Sequence, residues 1–527
     1  MLRGKSALPE QAQPSAWLPH SWEPSQLPAR LISRLRAGVA NVGHLGRLRR
    51  ALSHPPLILA GLGSSVTADF GGVVGSMQDR FQLAYMGTPR RCRNGCVLFG
   101  WLLPIYRFAS MNGTGDSALV NCGISARMIG NYGDCMHTAL PEDADLIIVD
   151  GVNGMAPING NLFKPTERLI RRLLALPRKP AVIILHWFDW CGCATCRGPR
   201  IERHRRRECY TADGLEQSYR LGRKREETGG WEELARHYRL PVLSIRRALH
   251  PSGTSSANGS AESWQKFDRF TWDGLHPRPC EGNAWPNCVY SMLVASMVNV
   301  FLDDVLRGRL GASKEEQEPL PLSCTTVRPG TLSLERANAV ERCFAWGVER
   351  RTPPPIASNR GWRLTSADTA WSFDPPAHCL RGRRNLTMPC PNEKPGLTAF
   401  APGSEVVFNL PIAASNRTRQ DGVWNATLHL LYLTSYEGMG SAAVRCERGC
   451  ACEGVVLDAH KSQGFVSIWE THRMRTVLHG RSGACAVRVS LLDQQLQQNS
   501  VRLRSGTKFK IGGMTLRWGE GASVCAA

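Results

Sequence analysis

Five short apolar runs constrain the first half of this chain: Leu57–Leu62, Ala118–Cys122, Leu146–Asp150, Ala181–Phe188 and Val242–Ile245. Each is too short for a helix and too continuously apolar for a strand with one wet face. Each therefore reads as a strand buried on both sides. Between them Thr166–Leu176 and Trp231–Arg239 carry helical spacing, and Trp285–Leu306 forms a long apolar helix after the last run. Strands that alternate with helices predict a parallel sheet covered on both faces. Ahead of the first strand, Leu31, Ile32, Leu35, Val39, Val42, Leu45 and Leu48 recur near a helical period with arginines between. They predict one amphipathic helix or two short ones over Leu27–Leu52. Cys191–Gln217, rich in cysteine and arginine, reads as an insertion over the top of the sheet.

The pattern changes after about Phe400. Glu405–Leu410, Ala426–Leu433, Ala442–Cys446, Phe465–Trp469, Arg473–Leu478, Cys485–Leu492, Val501–Arg504 and Phe509–Trp518 alternate apolar with polar residues, with Gly or Asn between them. That predicts an antiparallel sandwich. Gly308–Ala401, with Lys314-Glu315-Glu316, Pro353-Pro354-Pro355 and Pro375-Pro376, reads as linker or irregular structure. The expected layout is a disordered N-terminus over 1–27 and an α/β domain over 28–306 with its core at 55–306. An irregular Cys- and Pro-rich segment over 307–400 and a β-rich accessory domain over 401–527 follow. No internal repeat of fixed period is present.

Charge and cysteine bound the environment. A net charge of +21 favours acidic partners, such as anionic polysaccharide, over neutral ones. No zinc-finger, RRM or KH signature accompanies it, so specific nucleic-acid binding is not expected. The 19 cysteines point to an oxidising compartment, and the odd number leaves at least one thiol outside any intrachain pair. The sequons at Asn112, Asn258, Asn385, Asn416 and Asn425 are glycosylation candidates and agree with a secretory or extracellular location. The first residues carry no apolar signal core, and no apolar run is long enough to cross a membrane. Up to Arg50 there are seven Arg and one Lys against two Glu, which also fits a plastid-type transit segment.

The chemistry gathers at strand ends. The run beginning at Pro56 ends in Gly61-Leu62-Gly63-Ser64-Ser65-Val66-Thr67. Glycines let the backbone turn tightly there, and Ser65 falls at the carboxyl end of its strand, where open α/β sheets bind ligands. Far downstream, Asp273 precedes His276 by three residues, just ahead of the closing helix. Such an aspartate accepts one imidazole N–H and leaves the other ring nitrogen to take a proton from a serine. Gly123 follows the second strand and Asn153 the third, so both stand at the same edge as Ser65. With the Ser65 N–H they form a candidate oxyanion hole. The competing pair Asp134–His137 falls inside a crossover, and Gly115-Asp116-Ser117 precedes a strand, at the wrong end of the sheet.

These blocks resemble the SGNH, or GDSL-type, hydrolase family over roughly residues 55–306. The resemblance implies a flavodoxin-like three-layer α/β/α fold and a carboxylic ester hydrolase, often acting on acetyl groups of sugars, with no metal or other cofactor. Ser65 matches the family's nucleophile, Gly123 and Asn153 its second and third blocks, and Asp273 and His276 its last. Ser64 stands where the family usually has Asp, and Gly154 replaces the common Asp after Asn153. Some members are O-acyltransferases, so transfer to a wall polysaccharide is an alternative. A third alternative is an inactive matrix protein that binds polysaccharide. The C-terminal half resembles the tails of uncharacterised green-algal proteins that carry this domain.

Other features have two readings. Cys191, Cys193 and Cys196, with His186 and Cys209 near them in sequence, could ligate zinc, but their spacing is not that of a common finger and disulfides are preferred. Cys446, Cys450 and Cys452 read as disulfide cysteines too. Trp187 and Trp190 either stack on a sugar or pack beneath the insertion. Trp424, Trp469 and Trp518 read as sandwich core.

Overall fold

A computed structural model describes residues 23–64, 66–67, 74–75, 82–85, 97–98, 101–111, 117–123, 140–151, 163–188, 220, 223–224, 226, 230–249, 289–310, 340–346, 353–365, 396–412, 422–435, 438–460, 467–479, 482–493 and 506–518. The first part is built on a sheet of order β1-β9-β8-β7-β2-β6-β4. Its parallel strands are β2 (Ile58–Leu62), β4 (Gln82–Tyr85), β6 (Ala118–Asn121), β7 (Leu146–Asp150), β8 (Ala181–His186) and β9 (Val242–Ser244). From β2 the chain passes first to the edge strand β4, returns to β6 between β4 and β2, and then crosses to β7 on the other side of β2. With the edge strand β4 set aside, this is the flavodoxin-like order, with its switch point beside β2. A two-stranded ribbon, β3 (Val74–Gly75) with β5 (Val97–Leu98), stands apart.

Successive residues of each strand serve opposite layers, as the period of two requires. Leu59, Leu119, Ile148, Ile183 and Leu243 face one core with α1 (Ala29–Ala37), α2 (Gly46–Ser53), α3 (Leu102–Ser110), α6 (Ile245–Leu249) and α7 (Val289–Leu306). Ala60, Val120, Ile147, Val149 and Ile184 face the other core with α4 (Phe163–Leu174) and α5 (Trp231–His237). Helix α7 is apolar nearly all round because it is buried between the sheet and its companion helices. At its end Asp304 accepts from Nε and Nη2 of Arg36, each at 2.7 Å, and from Arg309 at 2.8 Å. Those bonds hold the Asp304 carboxyl below its ordinary range against its own burial. No helix among the described residues is long and apolar enough to cross a membrane.

The N-terminal stripe forms two helices rather than one. Val39 and Asn41 leave it to form β1 (Val39–Asn41), antiparallel to β9, with the Asn41 amide donating to the Leu240 carbonyl at 2.8 Å. Leu27 is buried in the first core, so order begins before residue 28. Residues 1–22 lie outside the described residues.

The second part is the expected antiparallel sandwich. One sheet runs β12-β13-β21-β15-β19-β17, with β10 paired to β21; the other runs β11-β14-β20-β16-β18. The strands are β10 (Val340–Ala345), β11 (Ile356–Arg360), β12 (Trp362–Thr365), β13 (Gly396–Ala399), β14 (Glu405–Pro411), β15 (Val423–Thr434), β16 (Ser441–Arg448), β17 (Cys450–Cys452), β18 (Val455–Asp458), β19 (Ile468–His479), β20 (Ala484–Leu491) and β21 (Phe509–Trp518). Two expectations are corrected. The stretch read as linker supplies β10 through β13: β10 and β13 pair with β21, β11 with β14, and β12 with β13. Ile468 and Trp469, the end of the first of two expected runs, are joined to Arg473–Leu478 in one strand, β19, continuously paired with β15, and Phe465 and Val466 lie outside the described residues. Val501–Arg504 lies outside the described residues.

Trp469 and Trp518 are buried in the sandwich core and Trp424 packs against it, as expected. Disulfides join Cys446 to Cys452 and Cys450 to Cys485, the latter tying β17 of one sheet to β20 of the other. Between the two parts, Arg172 on α4 donates to both Glu341 carboxylate oxygens, at 3.1 and 3.4 Å.

Candidate active site

The site is built where β2 ends. Gly63 leaves the strand, and the Thr67 N–H then donates to the Ser64 carbonyl at 3.1 Å, closing a tight turn. The Thr67 hydroxyl donates to the Asp150 carboxylate at 3.2 Å. Asp150 ends the neighbouring strand β7, and both side chains are buried. The turn after β2 is thus pinned to the end of β7. A Cβ at Gly63 would stand 2.1 Å from the Thr67 hydroxyl and 2.6 Å from the Asp150 Cβ, so only glycine fits. The neighbouring Gly61 is needed for a second reason: a Cβ there would stand 2.2 Å from Leu102 of α3.

Ser64 and Val66 are both buried. The Ser64 hydroxyl has no hydrogen-bond partner among the described residues. Ser65, the nucleophile candidate, stands between them in sequence and lies outside the described residues. Asn153, Asp273 and His276 also lie outside them, as do Asp134 and His137.

Gly123 is described and falls where expected. β6 pairs with β2 through Gly61↔Asn121, and the Cys122 N–H donates to the Gly61 carbonyl at 2.8 Å. β7 pairs on the other side through Leu62↔Val149. Gly123 and Asp150 therefore flank Gly63 across three adjacent strands. By contrast, the Ser117 hydroxyl accepts the Leu57 N–H at 3.0 Å, at the amino end of the sheet. That placement removes Gly115-Asp116-Ser117 from consideration.

The first turn of α7 reaches the same carboxyl edge. The Tyr290 hydroxyl donates to the Phe188 carbonyl at 3.0 Å, just past β8, and its ring centroid is 4.7 Å from that of Trp187. The amino end of α7 therefore lies at this edge. Trp187 is buried between Trp101 and Tyr290, so it packs and does not present a sugar platform. Trp190 lies outside the described residues.

A buried polar network closes the far side of the edge. The Glu226 carboxylate accepts from the Ser244 hydroxyl at 2.8 Å and from Arg246 at 2.6 Å. Ser244 ends β9, and its hydroxyl also accepts the Arg247 N–H at 3.1 Å, capping α6. Arg247 in turn donates to Glu232 of α5. His186, which pairs with Ser244 across β8 and β9, is wholly buried, and neither ring nitrogen has a partner among the described residues. Burial pushes its pKa down to about 4, against the opposing pull of Glu226. Cys191, Cys193, Cys196 and Cys209 lie outside the described residues. The group of metal-ligand type found among the described residues is Cys446, Cys450 and Cys485, whose sulfurs are in disulfides.

Thr67, Asp150 and Glu226 were not singled out by the sequence. Asp150 had a signal, since it opens Asp150-Gly151-Val152-Asn153, but nothing local tied it to Thr67.

Two expected results follow from this geometry. Gly63→Ala forces the added methyl group onto Thr67 and Asp150, so it should cost about 1–3 kcal/mol by urea unfolding. Thr67→Val should cost a similar amount, because it keeps the volume but takes a donor from the buried Asp150 carboxylate. His186 sets a pH dependence. Its pKa is depressed in the folded chain relative to its ordinary 6.5, so the unfolded chain binds more protons between that value and about 4. Its contribution is fully present above pH 6.5 and is lost as pH falls toward 4. The loss is on the order of 2–3 kcal/mol. Unfolding free energies of wild type and His186→Phe at pH 7 and pH 4.5 check it: the variant should lose less on acidification, and equal losses would count against it.

The fold and this edge define a class: a flavodoxin-like α/β domain with a candidate site at its switch point, followed by an antiparallel sandwich. No protein-family model and no curated protein matches the sequence. Among solved structures, a two-domain esterase (CEX) active on acetylated mannans covers 93% of this chain and 99% of its own, at 17% identity and TM-score 0.49. The same esterase co-crystallised with mannopentaose gives TM-score 0.48 over the same shares. The CBM35 from Cellvibrio japonicus Abf62 covers 35% of this chain and 94% of its own, at 10% identity and TM-score 0.19.

Proposed function

We propose that this chain is a serine esterase of SGNH type that hydrolyses carboxylic, O-acetyl, esters on a carbohydrate or glycoconjugate. Ser65 Oγ attacks the ester carbonyl while His276 takes its proton. His276 then hands that proton to the leaving alcohol, and Asp273 holds the imidazole in the required tautomer. The Ser65 N–H, the Gly123 N–H and the Asn153 side-chain amide receive the oxyanion. Water, activated by the same imidazole, releases the acyl group.

The observation that carries this reading is the pinned turn after β2. Gly63, Thr67 and Asp150 fix the backbone on either side of Ser65 at the switch point of the sheet, with Gly123 on the adjoining strand. A nucleophile needs that rigidity, because a misplacement of about 1 Å can cost on the order of 10²-fold. The entry of α7 at the same edge supports the role given to Asp273 and His276. The α/β unit over 28–306 is proposed as the catalytic domain. The two disulfides are compatible with an oxidising, extracellular setting. Asn425, exposed on β15, is a glycosylation acceptor that an enzyme could reach; the other four sequons lie outside the described residues.

A fluorophosphonate probe followed by peptide mapping tests the reading. Covalent label on Ser65 is the expected result. Label confined to another serine, or none on folded protein, would remove the assignment.

A further inference from the structure

Both disulfides described in the sandwich end on one short strand. β17 (Cys450–Cys452) is the edge of the seven-stranded sheet and pairs with β19 at three residues. Cys452 is bonded to Cys446 of β16, and Cys450 to Cys485 of β20. β16 and β20 both belong to the five-stranded sheet, so each disulfide ties β17 across the sandwich. The turn from β16 to β17 sets the two bonds side by side. Gly449 there has a φ of +72°, and a Cβ on it would collide with the Ala484 carbonyl oxygen. The turn thus lies against the backbone of β20 just ahead of Cys485. A register shift between Cys446 and Arg448 falls at the same place. As a result the sulfurs of Cys446, Cys450 and Cys485 all lie within 4.8 Å of one another, and that of Cys452 is outside the group. The two bonds differ in access. Cys450 and Cys485 are buried, whereas Cys446 and Cys452 are partly exposed.

We propose that Cys446–Cys452 is the entry site for a dithiol reductant, and that Cys446 relays the opening to the buried Cys450–Cys485 bond. A thiolate of the reductant attacks the Cys452 sulfur, and Cys446 leaves as a thiolate. The second thiol of the reductant then releases Cys452 and closes the reductant's own disulfide. One protein bond has been reduced and one dithiol oxidised. The Cys446 thiolate next attacks the Cys450–Cys485 bond; a change of rotamer closes a gap of the size observed. A new S–S bond forms to one of those sulfurs, and the other departs as a thiolate, with no net oxidation. A second dithiol reduces the bond that remains. With both original bonds open, β17 keeps its three pairs with β19 and loses its ties to the five-stranded sheet. Its release would bare β19 from Thr476 to Leu478 as a new sheet edge. The inference stands apart from the esterase reading, since it uses no residue of the candidate active site.

The test treats full-length protein with dithiothreitol under native conditions, quenches by alkylation at intervals and maps the cysteines by peptide mass spectrometry. In wild type, Cys446 and Cys452 should be alkylated first and Cys450 and Cys485 after them. Early samples should also contain chains in which Cys446 is bonded to Cys450 or Cys485. In Cys446→Ala/Cys452→Ala, the Cys450–Cys485 bond should open at least about tenfold more slowly, because only local opening then admits the reagent. The single variants separate relay from access. Cys452→Ala leaves Cys446 as a thiol and should show it bonded to Cys450 or Cys485 with no dithiol added. Cys446→Ala leaves Cys452 as a thiol and should keep the Cys450–Cys485 bond. Thermal melts identify the variants that are folded, and the wild-type time course decides by itself if none is. Four results would overturn the inference: Cys450–Cys485 opening first or not at all in wild type, no rearranged bond to Cys446, opening at the wild-type rate in the folded double variant, or the same exchange in both single variants.

Discussion

Ser65→Ala should leave a folded protein that no longer hydrolyses p-nitrophenyl acetate, with kcat/KM reduced by at least about 10⁴-fold. The size of the loss follows from the division of labour in such a site. Without the nucleophile, the proton acceptor has nothing to activate but water, and the oxyanion donors supply only what remains. His276→Ala should cost a similar amount, and the double variant little more than either single one, because the two act as a unit. Asp273→Ala should retain more activity than either. Because the Ser65 side chain is small, a melting temperature unchanged within a degree or two is expected alongside. Hydrolysis that persists at the wild-type rate in folded Ser65→Ala would remove the nucleophile assignment whatever becomes of the other residues.

Glu226→Ala should lower stability by about 3–5 kcal/mol, the usual consequence of deleting one partner of a buried ion pair. The Arg246 guanidinium, buried beside the end of β9, would lose its charge partner, and the Ser244 hydroxyl would lose its acceptor. Calorimetry should register this as a fall of roughly 10 °C in the transition of the α/β domain. Glu226→Gln keeps an acceptor for Ser244 and should lose less. A wild-type melting temperature in Glu226→Ala would mean that Arg246 finds another anion.

What the sequence revealed depended on whether a signal was local. β7 (Leu146–Asp150) and β21 (Phe509–Trp518) were legible to the residue, one as a continuous apolar run and the other by its position after Gly and Lys. Gly63 marks the end of β2 with the one residue that fits there, and Gly123 follows the end of β6. Other elements were hidden by local mimicry. Val39 continues the spacing of Leu31 and Leu35, so β1 passes for helix until its pairing with β9 is seen. Helix α3 is apolar along most of its length and contains Pro104, so it offers no stripe to read. β11 is exposed on every residue and has no alternation. β19 has a polar middle, Glu470-Thr471-His472, that reads as a gap although it is paired throughout. The site divides in the same way. Ser65, Asp273 and His276 were nominated by residue type beside strand and helix ends. The Thr67–Asp150 bond spans 83 positions, and no periodicity links residues that meet only through the order of the strands.

The upstream origin of β10 through β13 decides where the C-terminal part can be cut. A recombinant fragment begun near residue 401, the border suggested by composition, would strip β10 and β13 from one edge of β21 and β11 from one edge of β14. Two long, bare rows of amide and carbonyl groups would then be open to pairing with other copies. A fragment meant to stay in solution has to begin ahead of Val340.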